Sequence, residues 1–338
     1  MDKIRVGMIG SGYWGPNLIR NFVDIPKSEL VMVADLKLDR LEKIRRNYPT
    51  VLITQDYHDL FDQKLGAVVI ATPPSTHFPI AKACLEQELN VLVEKPLTLS
   101  SVHAEELIEL ADKKDKVLMV GHTFEYNSAV LAMKALINRG DLGQIFYLDA
   151  ARLNLGLFSR DLNVMWDLAP HDISILLFLL NKLPLAVSAN GSSCVFNGIH
   201  DVAYINMVFP DNIMAHIHVS WLDPCKVRRV TVVGSKKMAV YNDIESLEKI
   251  KIYDKGVEAP DYSNNFGEFQ FSYRYGDILI PNIHLAEPLK TECQHFLDCI
   301  IKHEKPCSCG EVGLHVVKIL EAAQKSLSNS GHMEEMKW

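Results

Sequence analysis

The sequence predicts an α/β protein in which a doubly wound parallel sheet is followed by an α+β domain with a large, open, mainly antiparallel sheet. Three observations carry that prediction. The first 121 residues alternate short Val/Ile/Leu-rich runs with helical stretches, and strands that are apolar on both faces belong in a buried parallel sheet. A glycine-rich turn, Gly10-Ser11-Gly12-Tyr13-Trp14-Gly15, joins the first such run to the first helix. After Gly121 strand-like runs follow one another across short turns, the pattern of an antiparallel sheet. A chain of 338 residues suits about two domains, expected at 1–122 and 123–338.

In the first domain the expected strands are Ile4 to Ile9, Leu30 to Ala34, Ala67 to Ala71, Asn90 to Val93 and Val117 to Val120. Between them lie expected helices at Pro16 to Val23, Leu38 to Asn47, His77 to Gln87 and Ser101 to Lys114. This order prescribes right-handed crossovers. In the second domain a helix from about Ser128 to Asn138 stops at Gly140, a C′ glycine. Strands are expected at Ile145 to Leu153, Ala186 to Val195, Ala203 to Phe209, Met214 to Trp221, Val227 to Val233 and Met238 to Tyr241, with one apolar helix at Leu168 to Leu180. The stretch from about 256 to 284 is rich in Gly, Asn, Asp, Tyr and Phe without periodicity and reads as a long surface loop. Two amphipathic helices, about Pro288 to Lys302 and Glu311 to Leu327, complete the pattern.

Composition narrows the function classes. Hydrophobic residues at 48% and charged residues at 23% are those of a globular chain, and a net charge of -7 argues against a general nucleic-acid binder. The apolar run near Leu176 to Leu180 is far shorter than the ~20 residues that span a bilayer, so no membrane partner is expected. The opening Met1-Asp2-Lys3-Ile4-Arg5 lacks the apolar core of a signal peptide. Seven scattered cysteines do not suit a disulfide framework. These features point to the cytoplasm. His216 and His218 share a strand face without an evident carboxylate partner, and Cys307-Ser308-Cys309 lacks C-x2-C spacing; no metal site is expected.

The glycine turn fits G-x-G-x-x-G, directly after a strand and before a helix. Its first two glycines leave room for a tight turn and a pyrophosphate, and the third lets helix and strand pack closely. Asp35 ends the second strand 20 residues after Gly15, where a carboxylate would hold both ribose hydroxyls of a dinucleotide. Gly10, Gly12, Tyr13, Trp14, Gly15 and Asp35 are therefore the expected cofactor contacts. A carboxylate repels the 2′-phosphate of NADP, which favours NAD, although Lys37 and Arg40 stand nearby as possible compensating charges. Two more signals lie at ends of parallel strands, where open α/β sheets bind ligands: Thr72-Pro73-Pro74-Ser75-Thr76-His77 and Glu94-Lys95-Pro96. Further along, Asp167 and His171 are four residues apart and share a helix face. Asp167 is expected as the N-cap, with Pro170 in the first turn.

Together these motifs, with Pro16-Asn17 and Asp167-x-x-x-His171, make the chain resemble the Gfo/Idh/MocA family of NAD(P)-dependent sugar and cyclitol oxidoreductases over essentially its whole length. The resemblance implies a Rossmann domain followed by an α/β domain with an open sheet. It also implies a catalytic lysine at Lys95, an Asp/His pair at Asp167 and His171, and cofactor contacts at Thr72, Pro73, His77, Glu94 and Lys95. On that reading His171 accepts a hydroxyl proton while Lys95 stabilises the alkoxide, or the two roles are exchanged. Tyr126, Arg152, Asn154, Arg160 and Asn163, with Asp167 and His171, are the expected substrate contacts, because forked guanidinium groups suit phosphate and aromatic rings stack on sugars or bases. Trp221, Lys226, Arg228 and Arg229 form a second candidate group of that kind. Resemblance alone implies a nucleotide sugar, UDP-N-acetylglucosamine or its uronate, oxidised at the 3-hydroxyl in bacterial amino-sugar and lipopolysaccharide biosynthesis. The alternatives are a free or phosphorylated sugar or inositol, and a non-catalytic dinucleotide-binding sensor. A homodimer or homotetramer through the second domain is expected by family analogy and because an apolar sheet face needs cover.

Overall fold

The computed structural model describes residues 3–156, 158, 161–258 and 272–338. The chain forms two compact units: 1–126 with 286–321, and 127–285 with 322–338.

The first unit holds six strands: β1 Ile4–Ile9, β2 Ser28–Ala34, β3 Leu52–Thr54, β4 Ala67–Ile70, β5 Asn90–Glu94 and β6 Leu118–Gly121. All neighbours are parallel, in the order β3-β2-β1-β4-β5-β6. The order reverses between β1 and β4, and the carboxyl ends of strands at such a switch point form the ligand crevice of open α/β sheets. Helices cover both faces, which is why the strands read as unbroken apolar runs. On one face Val6 and Met8 pack with Leu18, Ile19 and Phe22 of α1 (Gly15–Asp24) and Leu41 and Ile44 of α2 (Leu38–Asn47). On the other, Val68, Ile70, Val91 and Val93 pack with α3 (His77–Glu86) and α4 (Ser101–Lys114) through Ile80, Cys84, Leu85 and Leu107.

The expected boundary at residue 122 needs correction. A helix from far along the chain, Pro288–Lys302, sets Leu289, Cys293, Phe296 and Leu297 into the first core, with Phe22 and Phe296 edge to face at 6.5 Å. Burying such a ring contributes roughly 1.5–3 kcal/mol, and sequence pattern does not say which core an amphipathic helix will join.

The second unit contains helix α5 (Ser128–Asn138), strand β7 (Ile145–Leu155), helix α6 (Val164–Leu180) and strands β8 (Ala186–Ser192), β9 (Val202–Val208), β10 (Met214–Ser220), β11 (Leu222–Gly234), β12 (Met238–Asn242), β13 (Ile250–Glu258) and β14 (Ser272–Leu279). The long helices near the C-terminus are α7 (Pro288–Lys302) and α8 (Gly310–Ser328), and a short strand β15 (Glu334–Glu335) follows. The sheet order is β14-β13-β12-β11-β7-β10-β9-β8-β15. Its pairs are antiparallel except β7 with β10. Alternation is clear at its centre: Leu148, Ala150, Ile205, Ala215 and Ile217 are buried, whereas Tyr147, Tyr204 and Met214 on the opposite face are exposed. The expected loop at 256–284 is corrected in part, since β13 and β14 pair from Ile252 with Leu279 to Glu258 with Ser272. β14 is mostly exposed, so no burial rhythm marks it as a strand. Among the described residues no helix is long and apolar enough to cross a membrane.

Candidate active site

The glycine turn stands at the switch point between β1 and β4. Gly10 has φ +96°, and a Cβ there would lie 2.5 Å from the carbonyl oxygen of Ala71, so both conformation and space require glycine. A Cβ on Gly15 would lie 2.4 Å from the Gly10 carbonyl oxygen; the closeness of helix and strand expected of the third glycine is present. The amides opening α1 are not capped by a side chain of Trp14. Tyr13 projects into solvent.

Asp35 follows β2 and faces the same turn. Its Oδ2 accepts from the Ser11 amide at 2.7 Å and hydroxyl at 3.0 Å, and its Oδ1 accepts from the Lys37 amide at 2.8 Å. Burial alone would raise its pKa. The donated amides of Lys37 and Ser11, the Ser11 hydroxyl and the Arg40 guanidinium outweigh burial and hold it below the usual carboxylate range. Arg40 Nη1 stands 3.4 Å from Asp35 and 3.5 Å from where a Gly12 Cβ would be.

The loops after β4 and β5 are locked together by His77. This imidazole is completely buried, with Nδ1 2.8 Å from the Pro96 carbonyl and Nε2 2.9 Å from the Thr72 carbonyl. Burial lowers its pKa despite the two carbonyls. A neutral ring has one N–H, so one contact at a time is a donated hydrogen bond. His77, expected as a cofactor contact, is instead a brace between Thr72 and the Glu94-Lys95-Pro96 segment. Thr76 Oγ1 bonds Thr72 Oγ1 and the Pro73 carbonyl, each at 2.7 Å, fixing the same turn. Glu94 receives a hydrogen bond from the Trp14 side chain and another from the Lys95 amide at 3.2 Å. It thereby ties the glycine turn to the backbone carrying Lys95.

In the second unit Asp167 and His171 lie one turn apart on α6, both half-buried. The N-cap is Asn163, not Asp167: Asn163 Oδ1 accepts from the Trp166 amide at 3.1 Å, and its Nδ2 donates to Gln324 at 2.8 Å. The helix starts earlier than expected, so Pro170 sits inside it rather than in its first turn and gives the Trp166 carbonyl no helical donor. Asp167 Oδ2 accepts from Trp221 Nε1 at 3.1 Å. Trp221 is fully buried against Gly156, where a Cβ would come within 2.4 Å of Trp221 Cδ1. Trp221 therefore holds the carboxylate of the Asp/His pair instead of stacking on a ligand.

Several expected substrate contacts are corrected. Arg152 is buried, and its Nε and Nη2 each donate at 2.8 Å to Asp172; it is committed to the interior. Tyr126 is 7% exposed, packs in the first core and bonds Ser308 Oγ at 3.0 Å. Asn163 is engaged as described, and Arg228 pairs with Asp243 at 3.4 Å. Asn154 is half-buried on β7. Arg160 lies outside the described residues. Among the described residues no three His, Cys, Asp or Glu side chains form a metal-binding group. Sequence reasoning missed Asp172 and the Trp221–Asp167 bond.

Comparison with known proteins agrees with this geometry. Residues 4–122 match the family model for the oxidoreductase family with an NAD-binding Rossmann fold, and residues 130–240 match the GFO/IDH/MocA C-terminal domain. The chain belongs to the Gfo/Idh/MocA oxidoreductases. It is 34% identical over 202 residues to the oxidoreductase YdgJ of Escherichia coli, covering 56% of this chain and 57% of that protein. It is 28% identical over 263 residues to a UDP-N-acetylglucosamine 3-dehydrogenase of Acidithiobacillus ferrooxidans (76% and 79% covered). It is 25% identical over 336 residues to a myo-inositol 2-dehydrogenase of Thermotoga maritima (96% of each). The crystal structure of GenD2 from gentamicin A biosynthesis in complex with NAD has the same fold, with TM-score 0.85, 21% identity and coverage of 100% and 97%. The tight turn that Gly10 and Gly15 permit, the open position at Gly12, the uncapped start of α1 and the carboxylate of Asp35 fit an NAD adenosine and pyrophosphate. NAD is the cofactor of this domain.

Proposed function

We propose that the protein oxidises a secondary hydroxyl of a nucleotide sugar, the 3-hydroxyl of UDP-N-acetylglucosamine or its uronate, to a keto sugar in bacterial amino-sugar and lipopolysaccharide biosynthesis. The observation that carries the dehydrogenase reading is the care with which two reactive side chains are held. Lys95 sits on a backbone fixed by Glu94, Pro96 and His77, and His171 shares a helix face with an Asp167 anchored by Trp221. Bound NAD supplies the hydride acceptor. The chain supplies the acid–base work: one of Lys95 and His171 takes the hydroxyl proton, and the other stabilises the charge developing on oxygen. Asp167, one turn from His171 on α6 and anchored by Trp221, is the carboxylate we assign to orient the imidazole. A sensor that only binds a dinucleotide would not need all three groups.

The relative named as a UDP-N-acetylglucosamine 3-dehydrogenase supports the sugar assignment. The inositol dehydrogenase, aligned over nearly its whole length, supports a cyclitol as the second reading. We also propose work in the cytoplasm as a homodimer or homotetramer, with the exposed Tyr147, Tyr204 and Met214 face as the part of the second unit that needs cover. The test is absorbance of reduced cofactor when the purified protein meets NAD with UDP-N-acetylglucosamine, its uronate or myo-inositol. Turnover of myo-inositol alone would replace the nucleotide-sugar reading, and no turnover of any would favour the sensor. Lys95→Met and His171→Ala are expected to lower kcat by about 10²–10⁴-fold with NAD binding kept; near-normal kcat removes that residue from the mechanism.

A further inference from the structure

Tyr126 and Trp221 are committed to the interior, yet two other aromatic rings near Asp167 are only partly covered. Phe158 follows β7, and Phe196 stands in the loop between β8 and β9. Their rings meet edge to face, with 5.9 Å between centroids and 72° between planes. They are 38% and 39% exposed. Phe158 also lies against the Trp221 indole, the centroids 5.5 Å apart and the planes at 60°. That indole donates to the Asp167 carboxylate at 3.1 Å. Contact therefore runs from Phe196 through Phe158 and Trp221 to Asp167, with His171 one helical turn beyond.

The loop that carries Phe196 is held firmly. Asp201, 1% exposed, accepts the Cys194 amide on both carboxylate oxygens at 3.0 and 2.9 Å, and the Val195 amide at 2.7 Å. Such charge-assisted bonds are roughly twice as strong as neutral ones. The Asp201 amide bonds the Ser192 carbonyl at 3.0 Å, and the Asp201 carbonyl takes the Trp221 amide at 2.9 Å. The His200 carbonyl takes the amide of Val164, the first residue of α6, at 2.9 Å. Phe196 is thus tied to the two elements that place Trp221 and Asp167. Val195, beside it, is 54% exposed. A fixed loop that keeps adjoining apolar side chains in water adds nothing to the core. Contiguous exposed apolar surface of this kind marks a binding site.

We propose that Phe158 and Phe196 form the nucleobase subsite of the substrate site, where the pyrimidine ring of a uridine nucleotide sugar stacks. This rests on the nucleotide-sugar reading above. Length decides the occupant. The ring being oxidised must touch His171, whereas the phenylalanine pair reaches Asp167 through the whole Trp221 indole. A compact cyclitol at His171 has no second part to set on that platform. A nucleotide sugar has one, because a diphosphate and a ribose separate its sugar from its base. The two side chains offer ring faces and edges without a hydrogen-bonding group. They therefore select a flat ring by stacking and leave the edge of the base unread.

Calorimetric titration of the NAD-loaded protein with UMP tests the subsite apart from turnover. UMP should bind, and Phe158→Ala and Phe196→Ala should each weaken it by about fivefold or more, as for loss of a base–aromatic stack. Phe196→Tyr keeps a ring and should keep the affinity. In turnover, Phe196→Ala should raise KM for UDP-N-acetylglucosamine with kcat kept, the mark of lost uniform binding. Phe158 touches Trp221, so the Phe196 variants separate stacking from any disturbance of Asp167. Equal affinity for UMP in the unaltered chain and both alanine variants would overturn the subsite and leave the nucleotide-sugar reading standing. So would turnover of UDP-N-acetylglucosamine by a protein with no measurable affinity for UMP. Turnover of myo-inositol alone, with no UMP bound, would end both.

Discussion

Each unit contains a carboxylate–arginine pair with a member that the sequence offers to a ligand, Asp35 in the first and Arg152 in the second, and only the first pair stands where a ligand can reach it. In the first unit Arg40 touches Asp35 once, at 3.4 Å, with 37% of the arginine side chain and 6% of the aspartate exposed. In the second, Arg152 grips Asp172 with two nitrogens at 2.8 Å, and the side chains are 5% and 2% exposed. The difference is one of position. Asp35 and Arg40 lie beyond the carboxyl end of β2, where open sheets leave room for ligands. Arg152 has the parity of Leu148 and Ala150 on β7 and so points into the interior with them, where a guanidinium persists only beside an opposite charge. An arginine near a site serves the ligand or the core according to the face on which it stands.

The largest effect that would break this contrast is on stability. Arg152→Ala leaves Asp172 buried and uncompensated and is expected to cost about 3–5 kcal/mol in chemical denaturation, while Arg152→Met with Asp172→Leu recovers most of it. A loss under about 1 kcal/mol for Arg152→Ala would mean that the pair is open to solvent and ligand after all.

A buried acid with no arginine sharpens the comparison. Glu125 has its pKa raised to about 8, so the folded chain keeps a proton that the unfolded chain releases above the ordinary glutamate value. Its contribution to stability is complete below about pH 4.3 and is lost as pH rises, at about 1.4 kcal/mol per unit, until the loss levels off near the raised value. Glu125→Gln should flatten unfolding free energy between pH 5 and 8; an unchanged slope would show that another group sets it.

The smallest effect concerns Arg40. Arg40→Ala should change stability by no more than about 1 kcal/mol, as for an exposed ion pair, yet weaken NADP binding about tenfold relative to NAD, measured by fluorescence titration. Equal weakening of both cofactors would remove Arg40 from their discrimination.

The parallel sheet was legible because its strands are apolar on both faces and its helices amphipathic, and both cores are built from those residues. Gly10, Gly15 and Asp35 could be read because a backbone conformation, a close approach and a fixed spacing each demand one residue type. Arg152 was partly legible: strand alternation puts it inward, but its chemistry suggested a phosphate. Tyr126 and Trp221 could not be placed, since burial of a large aromatic depends on which helix or strand comes to cover it. The Trp221–Asp167 bond joins residues 54 apart, and nothing local in either segment announces the other. Asn163 shows how a small shift misleads: with the helix starting four residues early, the cap passes from Asp167 to Asn163 and Asp167 becomes available to Trp221.

The return of α7 to the first core has a consequence for biogenesis. As the chain emerges from the ribosome, Leu18 and Phe22 present their apolar surface long before Phe296 exists to shield it. The nucleotide-binding half is thus translated first and completed late, and through that interval it carries the kind of exposed apolar surface on which partly folded chains aggregate.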